Sequence, residues 1–106
     1  MNFEIMTGEA LKYNFPIFDS TGAPMNLVGA TIVMAVTKYG ATTNAIERNM
    51  LIVGTNAVDE ITSTETEVLL GAGKHLVTVK AKVNGEVAEL KHDCVTIYQS
   101  KIIGLL

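Results

Sequence analysis

The dipeptide Asn84-Gly85, set between two long alternating segments, constrains the fold more than any other feature of the sequence. A type I′ turn needs a positive φ at both central residues, and Asn-Gly accepts that conformation best. We therefore predict a β-hairpin over residues 74–99. The turn sets the opposing pairs: Val83 with Glu86, Ala81 with Ala88, Lys80 with Glu89, Val79 with Leu90, and Val77 with His92. A slip of one residue would exchange the two faces, so the pattern resists slippage.

The length and charge of the chain exclude several classes of protein. A chain of 106 residues holds one hydrophobic core, so we expect a single domain over residues 1–106. The net charge of −3, with eight scattered basic residues, gives no electrostatic basis for binding nucleic acid or an anionic membrane. No segment approaches the roughly 20 apolar residues of a membrane span. Residues 1–10 lack the basic and apolar regions of a signal peptide.

The single cysteine, Cys94, excludes an internal disulfide. It lies in a predicted strand, where an unpaired cysteine usually acts as a small buried hydrophobe. One thiol without a Cys-x-x-Cys motif does not support a redox role. The chain is compatible with a reducing cytoplasm.

Alternating apolar residues predict further strands ahead of the hairpin, over residues 10–18, 30–38, 45–53 and 57–61. Residues 2–6 are expected to form either a short strand or a loose arm. Pro16 cannot donate to a ladder, so the strand that contains it is predicted to be an edge strand or to be bulged there. In the next strand Ile32, Met34 and Val36 form the core face. Val33 on the opposite face indicates cover on both sides.

Residues 62–70 interrupt the strand pattern. Thr64 and Glu67 have the spacing of a capping box, and Gly71 can end a helix. We predict about one helical turn near residues 64–70 that crosses between sheets, with a plain polar loop as the alternative.

The apolar phase of the last segment changes from even positions at Leu90 to odd positions at Val95. Since side chains on a strand alternate with a period of two, this change predicts a β-bulge or a bend near His92 and Asp93. The bulge would divide the segment into strands over residues 86–91 and 94–99.

Seven or eight short strands separated by turns predict an all-β protein folded as a β-sandwich. The apolar residues 101–106, KIIGLL, would make a poor free end in water. We therefore expect this end to dock on the domain itself or on another subunit, with an interface formed by Ile102, Ile103, Leu105 and Leu106.

The residues that could carry chemistry are few and poorly spaced. His92 and Cys94 would share one face of a regular strand while Asp93 points away, which is a weak signal for a nucleophile and its base. His75 would lie diagonal to His92, and a zinc site needs three or four ligands; the simpler interpretation is two half-exposed histidines. Residues 71–73 follow a helix and precede a strand, the reverse of a phosphate-binding loop. We expect no catalytic, metal-binding or cofactor-binding residue, and hence no enzyme.

The turn after the second predicted strand belongs to a longer pattern, FDSTGAP at residues 18–24 followed by NLVGATI at residues 26–32. This pattern resembles the D-x-x-G-x-P-x-(D/N)-L-x-G-A-T-V opening of small phage structural domains. The resemblance is to the N-terminal domains of upper baseplate proteins in tailed phages, and to similar domains in tail-fibre proteins. It covers most of residues 10–99, although those domains commonly have an aromatic residue where this chain has His75. The matching positions are Asp19, Gly22, Pro24, Leu27 and Gly29.

The resemblance implies an immunoglobulin-like β-sandwich that acts as an assembly module and has no catalytic residues. Its implied partners are other virion proteins and further copies of itself, and its implied location is the virion, reached from the host cytoplasm. A carbohydrate- or ligand-binding β-sandwich is the alternative, and it would need a concave face with several aromatic side chains. The chain has three Tyr and three Phe, and none of them cluster in the predicted loops.

Overall fold

Strands form most of the fold, which a computed structural model describes for residues 2–19, 21–83 and 86–99, with the backbone alone at residues 86–88. Among these residues a single-turn π-helix, Glu65–Leu70, separates the sixth strand from the seventh. The strands are β1 (Asn2–Met6), β2 (Leu11–Pro16), β3 (Thr31–Lys38), β4 (Ile46–Asn49), β5 (Leu51–Val53), β6 (Asn56–Ile61), β7 (Gly73–Val83) and β8 (Glu86–Tyr98).

The described strands form two sheets. A five-stranded sheet has the order β1-β8-β7-β3-β4, and a three-stranded sheet has the order β2-β6-β5. The second, fifth and sixth strands lie in one sheet and face the third, seventh and eighth strands in the other. Immunoglobulin domains divide their strands between two sheets in the same way. The predicted all-β sandwich is confirmed.

The predicted hairpin is confirmed, and its register holds from Val83 opposite Glu86 as far as Lys80 opposite Glu89. The pairing then shifts, so that Val79 opposes Lys91 and Val77 opposes Asp93. The predicted partners of Val79 and Val77, Leu90 and His92, were therefore wrong. The turn residues Asn84 and Gly85 lie outside the described residues.

The β-bulge occurs at Leu90, not near His92 and Asp93, and β8 continues through it as one strand. The phase change was predicted correctly, but its position was wrong. With the extra residue at Leu90, Asp93 points inward and accepts a hydrogen bond from the buried Tyr13 hydroxyl at 3.3 Å. Lys91 places its Nζ 4.9 Å from the centre of the Phe15 ring. Both contacts stabilise the earlier position of the bulge.

The hydrophobic core lies between the two sheets and draws on alternate residues of each strand. The predicted core face of β3 is confirmed, with Met34 and Val36 fully buried. The other face of β3 is only partly covered by its neighbours, so the prediction of cover on both sides was wrong. The buried apolar side chains are Tyr13, Ile17, Leu27, Ile32, Met34, Val36, Ile46, Met50, Ala57, Ile61, Leu70, Val77, Val79, Ala81, Val95 and Ile97.

The strand predicted over residues 45–53 is divided at Met50. β4 pairs with β3 in the five-stranded sheet, whereas β5 pairs with β6 in the three-stranded sheet. The buried Met50 donates its backbone N–H to the Ile32 carbonyl at 2.7 Å, and the chain changes sheets at this point. The even-numbered residues Ile46, Met50 and Ile52 face the core in both halves, whereas the apolar Leu51 and Val53 on the other face are exposed.

The strand that contains Pro16 lies at an edge, as predicted, because β2 pairs only with β6. The turn that follows is built on Asp19, whose Oδ1 accepts hydrogen bonds from the backbone N–H groups of Thr21 and Ala23 at 2.9 and 3.1 Å. Gly22 has a φ of 86°, a backbone conformation that residues with a side chain rarely adopt. The hydrogen bond from the Thr21 hydroxyl, together with the backbone bonds from Thr21 and Ala23, lowers the pKa of the Asp19 carboxyl group.

The helical turn between the sheets is confirmed, but its capping box lies two residues earlier than predicted. Thr62 accepts a hydrogen bond from the Glu65 N–H at 3.2 Å, and Glu65 Oε1 accepts one from the Thr62 N–H at 2.9 Å. Gly71 ends the helix with a φ of 71°. The described part of the chain contains no helix long and apolar enough to cross a membrane.

Candidate interaction surface

The five-stranded sheet has one face packed on the core and one face turned to solvent, here called the outer face. Its central strand is β7, on which the buried Val77 and Val79 alternate with the partly exposed Leu76 and Thr78. The same alternation on neighbouring strands leaves a centre of small or apolar side chains without charge. These uncharged residues are Met6, Val33, Ala35, Thr37, Leu76, Thr78, Cys94, Thr96 and Tyr98.

Charged residues surround this centre. Lys74 lies near one end of β7, and Lys80 and Lys82 lie near the other. Three carboxylates lie on other strands of the same face: Glu4, Glu47 and Glu89. An uncharged centre within a mixed polar rim is the usual anatomy of a protein–protein interface.

A depression of about 260 Å³ lies at one side of the outer face, between β7, β3 and β4. Val33 and Ala35 contribute its apolar lining, and Lys80 and Glu47 bring opposite charges to it. The Glu47 carboxylate is held by the Asn44 amide at 3.0 Å. None of the described residues that line the depression is aromatic.

The opposite side of the outer face ends at the edge strand β1. Met6 and Tyr98 are paired across β1 and β8 and are 50% and 49% exposed. The Tyr98 hydroxyl donates to Glu4 Oε1 at 3.3 Å, beside a second depression of about 250 Å³. The predicted interface residues Ile102, Ile103, Leu105 and Leu106 lie outside the described residues, which end at Gln99.

The outer side of the three-stranded sheet is a second exposed surface. Leu51 and Val53 on the edge strand β5 are 66% and 55% exposed. Their cross-strand neighbours Val58 and Asn56 continue the same side onto β6. This surface is narrower than the outer face, because β5 has only three residues.

The two histidines lie on opposite sides of the five-stranded sheet. His75 is fully buried on the core side, whereas His92 is exposed on the outer face. They do not share a site, and the prediction that both are half-exposed was wrong. Among the described residues no group of three or more His, Cys, Asp or Glu side chains is arranged to hold a metal ion.

His75 fastens the start of β7 to the end of the helix. Its Nε2–H donates to the Gly71 carbonyl at 3.1 Å, whereas its buried Nδ1 has no hydrogen-bond partner among the described residues. Immunoglobulin domains use a tyrosine hydroxyl for a similar bond at this corner. Burial lowers the pKa of His75, the bond to Gly71 opposes that effect, and the charge of Lys38 lowers the pKa further.

His92 and Cys94 share the outer face, as predicted, and Asp93 points to the core. Cys94 is partly exposed, so the prediction of a small buried hydrophobe was wrong. Asp93 is 3% exposed, and its partner Tyr13 has a raised pKa because of burial and the nearby carboxylate. Asp93 was assigned no role from the sequence. The odd-numbered phase of Val95 and Ile97, extended back by two residues, could have placed it inside.

Arg48 forms a charged cluster with Asp59 and Glu65. It extends from β4 to Asp59 on β6, with Nε donating to Oδ2 at 2.9 Å, and it binds both carboxylate oxygens of Glu65. Glu65 and Asp59 raise the pKa of Arg48, and Arg48 is the largest cause of the lowered pKa of Glu65. Because Arg48 lies on the five-stranded sheet and Asp59 on the three-stranded sheet, their ion pair connects the two sheets.

No protein-family model matches this sequence, and no curated protein matches it.

Proposed function

We propose that this chain is a non-enzymatic structural or assembly protein of a phage or prophage virion, in the tail, the baseplate or the head surface. It acts through contacts with other virion proteins and with further copies of itself. The observation that carries this proposal is the outer face, a broad sheet surface with an uncharged centre and a charged rim. Such a surface suits a persistent contact between proteins.

The resemblance to phage structural domains supplies the virion part of the proposal. The matching residues Asp19, Gly22 and Pro24 build a tight turn, closed by a bridge between Phe18 and Pro24. They serve the shape of the domain and leave the outer face available for contacts. A module that is added to a particle needs this combination of a rigid body and an exposed surface.

A second contact is proposed at the end of β8. Residues 101–106 follow in sequence from Tyr98, which is itself exposed beside Met6. We expect Ile102, Ile103, Leu105 and Leu106 to be covered by a neighbouring protein or subunit in the assembled particle. Edge strands such as β1 also offer unpaired backbone groups for added strands.

Purified particles test this function. In a phage or lysogen that carries the gene, the chain is expected to co-purify with density-gradient-purified virions in fixed stoichiometry, as measured by mass spectrometry. Deletion of the gene is expected to leave incomplete or non-infectious particles. Absence of the chain from particles, together with normal infectivity of the deletion strain, would contradict the proposal.

The depression beside Lys80 and Glu47 favours one alternative, a carbohydrate- or ligand-binding module. Opposite charges over an apolar floor could orient a small polar ligand. A glycan array separates the two functions. Binding that is lost in a Glu47→Gln/Lys80→Met variant would favour the alternative, and an array without binding would disfavour a glycan ligand.

A further inference from the structure

We propose that two copies of this chain pack face to face through the outer face of the five-stranded sheet, with Leu76 on the central strand near the middle of the contact. This inference rests on the proposed function, because it assigns one of the assembly contacts to a particular surface. The occupant of the outer face is therefore a second copy of the same chain.

The area of the outer face is suited to a stable dimer. Strands lie about 4.8 Å apart and rise about 3.3 Å per residue, so the five strands, of four to 13 residues each, cover about 650 Å². Standard interfaces bury about 800 Å² on each partner. The outer side of the three-stranded sheet gives only about 240 Å² by the same reasoning, too little for a stable interface by itself.

The charge of the outer face favours a second copy as well. Its described residues include three lysines and three glutamates, so the formal charge of the face is 3 − 3 = 0 with His92 neutral. The whole chain carries −3, so its remaining surface is acidic. Two copies would repel each other through that remaining surface, but not through the neutral outer face. The lysines are Lys74, Lys80 and Lys82, and the glutamates are Glu4, Glu47 and Glu89.

The side chains at the centre allow close packing. Opposed sheets pack about 10 Å apart when small and apolar side chains fill the space between them. Leu76 is flanked by Cys94 on β8 and by Thr37 on β3. Thr78 is flanked by Ala35 on β3 and by the exposed His92 on β8. Leu76 is the larger of the two side chains that the middle of β7 presents on the outer face, whereas the long charged residues lie toward the ends of β7 and on other strands. The centre can therefore become dry while the charged groups remain hydrated.

The single cysteine provides a direct test of this arrangement. Cys94 lies next to Leu76 on the outer face, so a dimer should bring two copies of Cys94 within reach of a short bismaleimide. We expect the full-length protein to give a covalent dimer at micromolar concentration. The matched control is the double variant Cys94→Ala/Leu51→Cys, which moves the thiol to the three-stranded sheet and should remain uncrosslinked.

Sedimentation of charge variants gives a second test that does not use the thiol. Leu76→Arg and, separately, Thr78→Arg place like charges opposite each other and should raise the dimer dissociation constant at least about a hundredfold. Leu51→Arg, the control on the other sheet, should leave the dissociation constant within about threefold of the original value. Circular dichroism and thermal melting establish whether each variant folds. If only one of the two outer-face variants folds, that variant is sufficient for the test.

The possible results separate this inference from the proposed function. The inference is overturned by a protein that stays monomeric at high concentration. It is also overturned if the Cys94→Ala/Leu51→Cys control crosslinks while the original protein, with its thiol at Cys94, does not. If such a protein still co-purifies with virions, the proposed function stands without the dimer. If the dimer forms through Cys94 but the chain is absent from particles, the inference stands and the proposed function is wrong.

Discussion

The two faces of β7 differ in their exposure to solvent and in their chemistry. His75, Val77, Val79 and Ala81 point to the core and are at most 4% exposed. The residues between them lie on the outer face. They are lysines near the ends of the strand, and Leu76 and Thr78 in the middle. One strand thus supplies the centre of the fold on one side and the centre of the proposed contact on the other. Because side chains alternate along a strand, a one-residue change in register would exchange these roles.

This difference shows how the domain can combine stability with assembly. The core face gains its free energy from apolar burial, which depends on every side chain being inside. The outer face contributes little to folding, so its residues can be selected for a partner. The bulge at Leu90 allows β8 to keep both kinds of face although its apolar phase changes along the strand.

Deletion of one residue should give the largest effect. Removal of Thr78 would turn one half of β7 to the wrong face, exposing either Val79 and Ala81 or His75 and Val77. The lost burial and ladder bonds should cost about 3–6 kcal/mol, which is comparable with the whole stability of a small domain. We expect ΔThr78 to be unfolded or insoluble, as measured by circular dichroism and by amide dispersion in NMR spectra.

The matched control is deletion of Leu90, the extra residue of the bulge. Without it, Ala88 and Lys91 fall on a regular period-two pattern, so the core face on both sides of the deletion is retained. We expect ΔLeu90 to fold with a loss of about 1–3 kcal/mol, because Leu90 packs partly against the core. Equal destabilisation by the two deletions would contradict the account of the bulge.

Truncation of single side chains should give a smaller difference in stability between the core face and the outer face. Met34 is fully buried on the core side of β3, and Met34→Ala should lower the free energy of unfolding by about 2–5 kcal/mol. Val33→Ala, one residue earlier on the outer face, should cost less than about 1 kcal/mol. Denaturant titration at low protein concentration measures both values without a contribution from self-association. Similar losses at the two positions would mean that the outer face is covered within the monomer.

Local sequence patterns predicted the fold correctly where a single strand or turn determines the structure. Period-two alternation identified the core face of β3, and the Asn84-Gly85 dipeptide set the register next to the turn. The crossing at Met50 could not be predicted, because residues 45–53 alternate without a break while their two halves pair with different sheets. That choice is made by tertiary packing, which the local sequence does not encode.

The candidate surface was harder to predict than the fold. The outer face unites residues from five strands, and their adjacency depends on strand order. Leu76 has no signal of its own, since it lies within a mostly apolar alternation. The bulge was misplaced because phase alone allows any position between Leu90 and Val95; the buried pair of Tyr13 and Asp93 fixes it. Tyr13 and Asp93 are 80 residues apart in sequence, so a local pattern does not reveal their contact.

The smallest predicted effect concerns His75, the polar residue on the core face of β7. Its pKa is lowered in the folded state by burial, so the unfolded chain binds more protons than the folded chain once the pH falls below about 6.5. The contribution of His75 is therefore fully present above that pH and is lost as the pH falls toward the folded pKa. The slope should be at most about 1.4 kcal/mol per pH unit. Denaturant titrations between pH 7.5 and 5.5 measure it.

Other groups with lowered pKa values act outside this window. Asp19 and Glu65 are carboxyl groups, so the stability that they contribute is lost only as the pH falls below about 5. His75→Gln should flatten the slope between pH 7.5 and 5.5 while keeping a donor for the Gly71 carbonyl. His92→Gln, on the exposed outer face of the same sheet, is the matched comparison variant. If the slope disappears in His92→Gln and persists in His75→Gln, the pH response belongs to the outer face rather than to the core.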